Sequence, residues 1–114
     1  MTKKILVLPG DGIGPEIVAE AMKIVEHLRK HGGLDVAIEH GLVGGASYDA
    51  HGEPLTQATL DKAKAADAVL LGAVGGPRWE ALPIALRPEK GLLGGRAGTG
   101  VCGNLGRAIL YPQV

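Results

Sequence analysis

Four residues late in the sequence have the types and spacing of a face that binds a small molecule. In chain order they are Glu89, Leu92, Leu93 and Arg96. Their spacing of i, i+3, i+4 and i+7 places them on one face of a helix. An arginine can bind a carboxylate through two parallel hydrogen bonds, and leucines can bury an alkyl group. The pattern suits a small, branched carboxylic acid, although a surface helix with a salt bridge has the same spacing.

A glycine-rich segment near the N-terminus could form a second wall of such a site. It runs from Gly10 to Gly14 after an apolar stretch, but Pro15 stands where a dinucleotide fingerprint needs its third glycine. It is therefore either a tight strand-to-helix turn or a bend whose backbone approaches a ligand. Asp11 within it either caps the following helix or faces the site.

A second glycine-rich segment, residues 75–80, contains Trp79, the only tryptophan of the chain. It follows a predicted strand, and ligands of α/β proteins gather beyond the carboxyl ends of the strands. The segment is either an ordinary loop with one packed aromatic ring or a loop that faces a ligand.

Apolar patterning predicts the elements that hold these segments. Three strands are predicted at residues 3–8, 34–39 and 67–74, the second near the sheet edge and the third in the centre. A long helix begins at Pro15 and ends at Gly32-Gly33, and a shorter one covers residues 55–66. Residues 44–54 are predicted as a loop. Strands that alternate with helices indicate an α/β fold with a mainly parallel sheet flanked by helices.

The last part of the chain is unusually rich in glycine. Residues 88–104 have the apolar spacing of a helix, but interior glycines cost about 0.8–1 kcal/mol each relative to alanine. This cost argues against a helix and predicts loose packing over residues 94–106. Residues 108–111 are predicted to form a fourth strand.

Composition excludes several classes of function. Twelve basic and twelve acidic residues leave no net charge, which disfavours a nucleic-acid partner. No apolar run approaches the ~20 residues of a membrane span. The single cysteine, Cys102, cannot form an internal disulfide and suits the reducing cytoplasm. The four histidines lack metal-ligand spacing, so no metal site is predicted in this chain.

Taken in order, these segments resemble the isocitrate/isopropylmalate dehydrogenases, and within that family the branch that acts on 3-isopropylmalate in leucine biosynthesis. The matching segments are residues 7–16, 44–46 with Asp49, 68–80, 87–93 and 111–113. The resemblance runs almost from end to end but covers only the opening portion of such an enzyme. It implies a partial isopropylmalate-dehydrogenase-like fold, with residues 1–114 as the N-terminal part of the first, NAD-side domain. The Leu92-Leu93 pair is its specific feature and looks like the wall that binds the isopropyl group.

The resemblance also implies roles for individual residues. Those near NAD are Ile13, Gly76, Pro77, Arg78, Trp79, Glu80 and Glu89. Those at the substrate are Leu92, Leu93 and Arg96, whose guanidinium would hold a carboxylate. The implied reaction oxidises the 2-hydroxyl by hydride transfer to NAD and then releases carbon dioxide, with Mg²⁺ or Mn²⁺ as the Lewis acid. The implied assembly is a cytoplasmic homodimer.

The chain departs from the family where a second substrate arginine is expected. The family motif Asn-Leu-Arg-Pro reads Asn104-Leu105-Gly106-Arg107 here, so that role is not transferred to Arg107. The family's catalytic tyrosine, catalytic lysine and metal-binding aspartates come from later parts of the chain. We therefore expect no catalytic residue in this portion and no activity from it alone. Two other interpretations stay open: a truncated, non-catalytic chain, and a tartrate- or malate-type decarboxylating dehydrogenase, which Leu92-Leu93 disfavours.

Overall fold

The structure is a computed structural model that describes residues 1–100, and its centre is a parallel sheet. The strands are β1 Lys3–Gly10, β2 Val36–His40 and β3 Ala68–Ala73. Their order is β2-β1-β3, and β1 runs parallel to both neighbours. The predicted α/β fold is confirmed, and β2 lies at an edge of the described sheet as expected. The central strand of this sheet is β1 and not β3, whereas the predicted strand at residues 108–111 lies outside the described residues.

The part of the chain that the structure describes contains four α-helices. They are α1 Gly14–His31, α2 Gly45–His51, α3 Gln57–Ala65 and α4 Pro88–Gly98. Pro15 lies in the first turn of α1, where a missing N–H costs no helical hydrogen bond. The Thr56 hydroxyl caps α3 by accepting the Thr59 N–H at 3.2 Å. The predicted long helix from Pro15 and the predicted shorter helix over residues 55–66 are confirmed as α1 and α3.

The hydrophobic core lies on one face of β1. Leu6 and Leu8 point to this face and are buried with Val43 and with Ala63 of α3. Val7 points to the opposite face, since successive side chains of a strand alternate. There α1 packs its buried Val18 close to β3. The sheet is thus covered on both faces, as the continuous apolar run of β1 predicts.

The apolar stripe of α1 is only partly covered by the sheet. Val18 is 5% exposed, but Ile17, Ile24 and Leu28 are 45%, 66% and 42% exposed among residues 1–100. The helical spacing therefore predicted α1 correctly. It overestimated how much of the apolar surface of α1 is buried within residues 1–100.

The predicted loop at residues 44–54 is wrong over most of its length, because residues 45–51 form α2. Its first amide groups donate to Asp11, which lies 34 residues earlier in the chain. The helix ends at Gly52, whose φ of 79° is left-handed. A cap supplied from so far along the chain leaves no local pattern in the sequence.

The argument against a helix after residue 88 is also wrong, because Pro88–Gly98 form α4. Gly98 lies so close to Leu60 of α3 that a Cβ there would overlap the leucine side chain. Because Gly98 has no side chain, α4 can pack closely against α3. This packing offsets part of the helix-propensity cost of the glycine. Loose packing over residues 94–106 stays a prediction, and the part beyond residue 100 lies outside the described residues.

Candidate functional site

The carboxylate of Asp11 joins three separate segments at one end of the sheet. Its Oδ2 accepts the N–H of Gly45 at 2.7 Å and that of Gly75 at 2.9 Å, and its Oδ1 accepts the N–H of Ala46 at 2.7 Å. Asp11 itself is only 4% exposed. We call these four residues the Asp11 cluster. It brings together the turn after β1, the start of α2 and the loop after β3, at the carboxyl ends of the parallel strands where ligands of such folds bind.

Local backbone geometry explains why Asp11 reaches these donors. Its own N–H donates to the carbonyl of Ala73 at 2.7 Å, which fixes the turn to the end of β3. The first amides of a helix have no partner within the helix and carry partial positive charge. A buried carboxylate at the start of α2 therefore satisfies two orphan donors and is stabilised in return. Asp11 does not cap the next helix, because α1 has no side-chain cap hydrogen bond; its carboxylate binds amides of two other segments instead.

The loop of residues 75–80, which we call the post-β3 loop, is held against α2 by Trp79. The indole ring lies on Gly45, where any Cβ would overlap the ring. Its Nε1 donates to Oδ1 of Asp49 at 3.3 Å. Arg78 forms an ion pair with Asp49 at 3.4 Å, and its guanidinium lies 5.7 Å from the centre of the indole ring. Both ends of the loop are therefore tied to α2, one through Asp11 and the other through Trp79.

Ile13 and Glu89 lie beside this assembly. Ile13 follows Asp11 in the turn after β1 and is 60% exposed. Glu89 lies in the first turn of α4, and its Oε1 lies 3.0 Å from the place that a Cβ on Gly75 would occupy. The structure thus brings the predicted NAD-contacting segments to one edge of the sheet. Pro77 begins a 3₁₀ turn that Trp79 ends, and Glu80 follows it on the surface.

The predicted substrate residues lie further along α4. Leu92 and Arg96 line a groove of about 290 Å³ between α3, α4 and the sheet, whose other walls include Leu55, Leu60 and Val69. Leu93 is 52% exposed and does not line this groove. Ile13, Trp79 and Glu89 do not line this groove, so it is a different surface from the one around the Asp11 cluster. Arg107 lies outside the described residues.

The described part of the chain offers no evident metal site. Among residues 1–100, no three side chains of His, Cys, Asp or Glu come close enough together to hold a metal ion. In the same range, every buried side-chain nitrogen or oxygen has a hydrogen-bond partner. Over these residues no helix combines the length and apolar character that crossing a bilayer requires.

Comparison with known proteins gives a consistent result. A family model described as isocitrate/isopropylmalate dehydrogenase matches residues 4–114. The chain is 60% identical to 3-isopropylmalate dehydrogenase of Methylococcus capsulatus and 62% identical to that of Chromohalobacter salexigens, and each alignment covers the whole chain. A solved β-decarboxylating dehydrogenase of Thermococcus kodakarensis superposes with a TM-score of 0.67 at 28% identity, over 86% of this chain and 27% of that one. The chain spans 32% of the length of both curated relatives.

Proposed function

The chain belongs to the isocitrate/isopropylmalate dehydrogenase family, and from that premise we propose that it is the N-terminal portion of an enzyme that oxidises and decarboxylates 3-isopropylmalate with NAD. Two relatives of that name align with the whole chain at 60% and 62% identity. Because the chain spans 32% of their length, the complete reaction belongs to a longer protein. The proposal includes the place in leucine biosynthesis, the homodimer and the cytoplasmic location that the resemblance implies.

The observation that carries this proposal is the convergence of segments around Asp11. The turn after β1, the start of α2 and the post-β3 loop meet at the carboxyl end of a parallel sheet. Glu89 on α4 lies against the same loop. Cofactor sites of such folds are built from several chain segments that meet at this edge, and hydrogen bonds to the carboxylate of Asp11 hold three such segments together.

The residues at this edge fit one side of a dinucleotide. Gly75 and Gly76 present backbone without side chains, and the exposed Ile13 offers an apolar surface to a flat ring. Glu89 supplies a carboxylate beside them. We propose that Ile13, residues 76–80 and Glu89 contact NAD and fix its orientation. When bound, NAD would accept the hydride from the carbon that bears the 2-hydroxyl, and a divalent metal would polarise the substrate oxygen.

The substrate would be held by the exposed and groove-lining side chains of α4. Arg96 would bind one carboxylate through two hydrogen bonds. Leu92 would help to bury the isopropyl group, whose burial is worth roughly 2 kcal/mol at about 0.8 kcal/mol for each carbon group. Leu93 is exposed and lies outside the groove, so we propose that it covers the group only together with the remainder of the longer protein. These residues bind and orient the substrate and exclude water. The groups that move protons and hold the metal would come from the remainder of the longer protein.

The test compares the 114-residue chain with the same chain joined to the remainder of the Methylococcus capsulatus relative. NAD reduction is followed with 3-isopropylmalate and Mn²⁺, and with malate and tartrate as competing substrates. We expect the extended protein to prefer 3-isopropylmalate and the 114-residue chain to be inactive.

Three outcomes would change the proposal. Faster turnover of malate or tartrate by the extended protein would favour the other branch of the family. Activity of the 114-residue chain would contradict its catalytic incompleteness. An inactive extended protein that regains activity with Gly106→Arg and Arg107→Pro together would locate a defect at the missing arginine.

A further inference from the structure

Asp11 stands out because its buried charge serves backbone groups alone. Its carboxylate is 4% exposed and accepts three backbone N–H groups. Among residues 1–100 it forms no ion pair with a lysine, arginine or histidine. Its burial is therefore compensated by amide dipoles, two of them at the start of α2. A buried carboxylate with this arrangement fixes the positions of its donors more strongly than a neutral acceptor would.

Two of the three donors that Asp11 holds, Gly45 and Gly75, bear on the position of Trp79. The indole ring of Trp79 packs on Gly45, and Gly75 is the first residue of the post-β3 loop, which contains Trp79. Both N–H groups bind the same oxygen, Oδ2 of Asp11. The distance between Gly45 and Gly75 is therefore set by one atom, Oδ2 of Asp11.

The same contact also bears on Glu89. Its Oε1 lies 3.0 Å from where a Cβ of Gly75 would be, so a displacement of Gly75 changes the surroundings of that carboxylate. Arg78, Trp79 and Glu89, all predicted to contact NAD, thus depend on the position of one glycine amide.

We propose that Asp11 is the positioning residue of the cofactor side of the site: it holds the post-β3 loop against α2 and so sets where that loop and Glu89 meet NAD. The statement about NAD depends on the proposed function, whereas the statement about the loop does not. Asp11 touches neither cofactor nor substrate in this account and acts through the amides of Gly45 and Gly75.

The test uses Asp11→Asn, which keeps the shape of the side chain. An amide has one acceptor oxygen and one donor group, so at least one of the three backbone N–H groups then faces another donor. In the 114-residue chain the only tryptophan is Trp79, and its emission reports whether the post-β3 loop remains on α2. We expect a shift of the emission maximum to longer wavelength and several-fold stronger quenching by acrylamide. In the extended protein we expect NAD to bind about tenfold more weakly or worse.

Two controls separate positioning from general loss of stability. Val36→Ala removes buried volume from β2 near the opposite end of the sheet, where Val36 pairs with Lys3. It should destabilise the chain without changing the emission of the folded protein. Asp61→Asn removes an exposed charge whose side chain, within residues 1–100, is hydrogen-bonded only to Gln57. It should change neither emission nor NAD binding.

Each result decides a different part of the proposal. Unchanged emission and quenching in Asp11→Asn would overturn the positioning role. A shifted emission with unchanged NAD affinity would overturn its consequence for the cofactor. If the wild-type extended protein does not bind NAD, the proposed function fails and the emission result still decides the positioning role. If Asp11→Asn does not fold, wild-type quenching decides: a shielded Trp79 supports the proposal, and quenching as fast as that of free tryptophan overturns it.

Discussion

The two parts of the candidate site are held together by different forces. At the Asp11 cluster, three hydrogen bonds of 2.7–2.9 Å to one buried carboxylate join three segments that are far apart in sequence. Along α4, Leu92 and Arg96 instead line an open groove of about 290 Å³ whose walls are mainly apolar. Polar anchoring is directional and fails when one partner is lost, whereas apolar packing weakens gradually. Substitutions in the two parts should therefore change the free energy of unfolding by different amounts, and in some cases in opposite directions.

The largest loss of stability is expected for Asp11→Ala. This change leaves three N–H groups at least partly buried without an acceptor, and each costs about 1–3 kcal/mol, so we expect a loss of about 3 kcal/mol or more in the free energy of unfolding. Urea denaturation followed by circular dichroism measures it. Asp61→Ala is the matched control and should stay within about 0.5 kcal/mol of the wild type. Similar small losses for both variants would refute the special role of the Asp11 cluster.

The next largest effect is expected for Gly45→Ala. Its new Cβ would overlap the indole ring of Trp79, and such overpacking typically costs about 1–3 kcal/mol. A double-mutant cycle with Trp79→Ala tests the cause, because removing the ring leaves room for the methyl group. We expect Gly45→Ala to cost much less in the Trp79→Ala background, as measured by chemical denaturation. Equal costs in both backgrounds would show that the ring does not rest on Gly45.

On α4 a glycine-to-alanine substitution should instead increase the stability of the chain. Gly95 has nothing within 4 Å of where its Cβ would lie, so Gly95→Ala should stabilise the chain by about 0.5–1 kcal/mol through helix propensity alone. Gly98→Ala is the matched comparison and should be less favourable, because its Cβ would overlap Leu60. Thermal or chemical denaturation of both variants measures the difference. Equal stabilisation would mean that α3 and α4 do not pack as closely as described.

The smallest effect is expected for Arg78→Ala. Its side chain is 74% exposed, and its ion pair with Asp49 is 3.4 Å long, so it should contribute well under about 1 kcal/mol. Salt at about 1 M should remove most of this contribution. The loss caused by Asp11→Ala should persist at that ionic strength because its hydrogen bonds are largely buried. Equal salt sensitivity of the two variants would contradict this distinction.

The elements that sequence patterning predicted well are those whose causes are local. The apolar run of β1 and the helical spacing of α1 each contain their own signal, and both elements form where expected. By contrast, α2 depends on a cap from Asp11, a residue 34 positions away, and the choice between two roles for Asp11 overlooked this third one. In α4 the propensity cost of glycine led to the expectation of no helix, because the close packing of Gly98 on Leu60 could not be read from the sequence.

In the candidate site, too, some features could be predicted from the sequence and others depend on packing between distant segments. The two glycine-rich segments were predicted to be neighbours because parallel strands end at a common edge. Asp11, in the first segment, is hydrogen-bonded to Ala73 and to Gly75 of the second, which agrees with that expectation. The groove that Leu92 and Arg96 line depends on how α3 and α4 pack together beside the sheet, which helical spacing does not encode. The individual site residues therefore stay predictions that binding experiments must decide.

Amide hydrogen exchange of Gly45, Ala46 and Gly75 tests the central claim most directly. These three N–H groups have Asp11 as their hydrogen-bond acceptor in the described structure. We predict that all three exchange slowly in the wild-type chain and that all three lose protection together in Asp11→Asn, while amides of β1 keep theirs. Fast exchange at any of the three in the wild type, or loss at one of them without the others, would contradict the account.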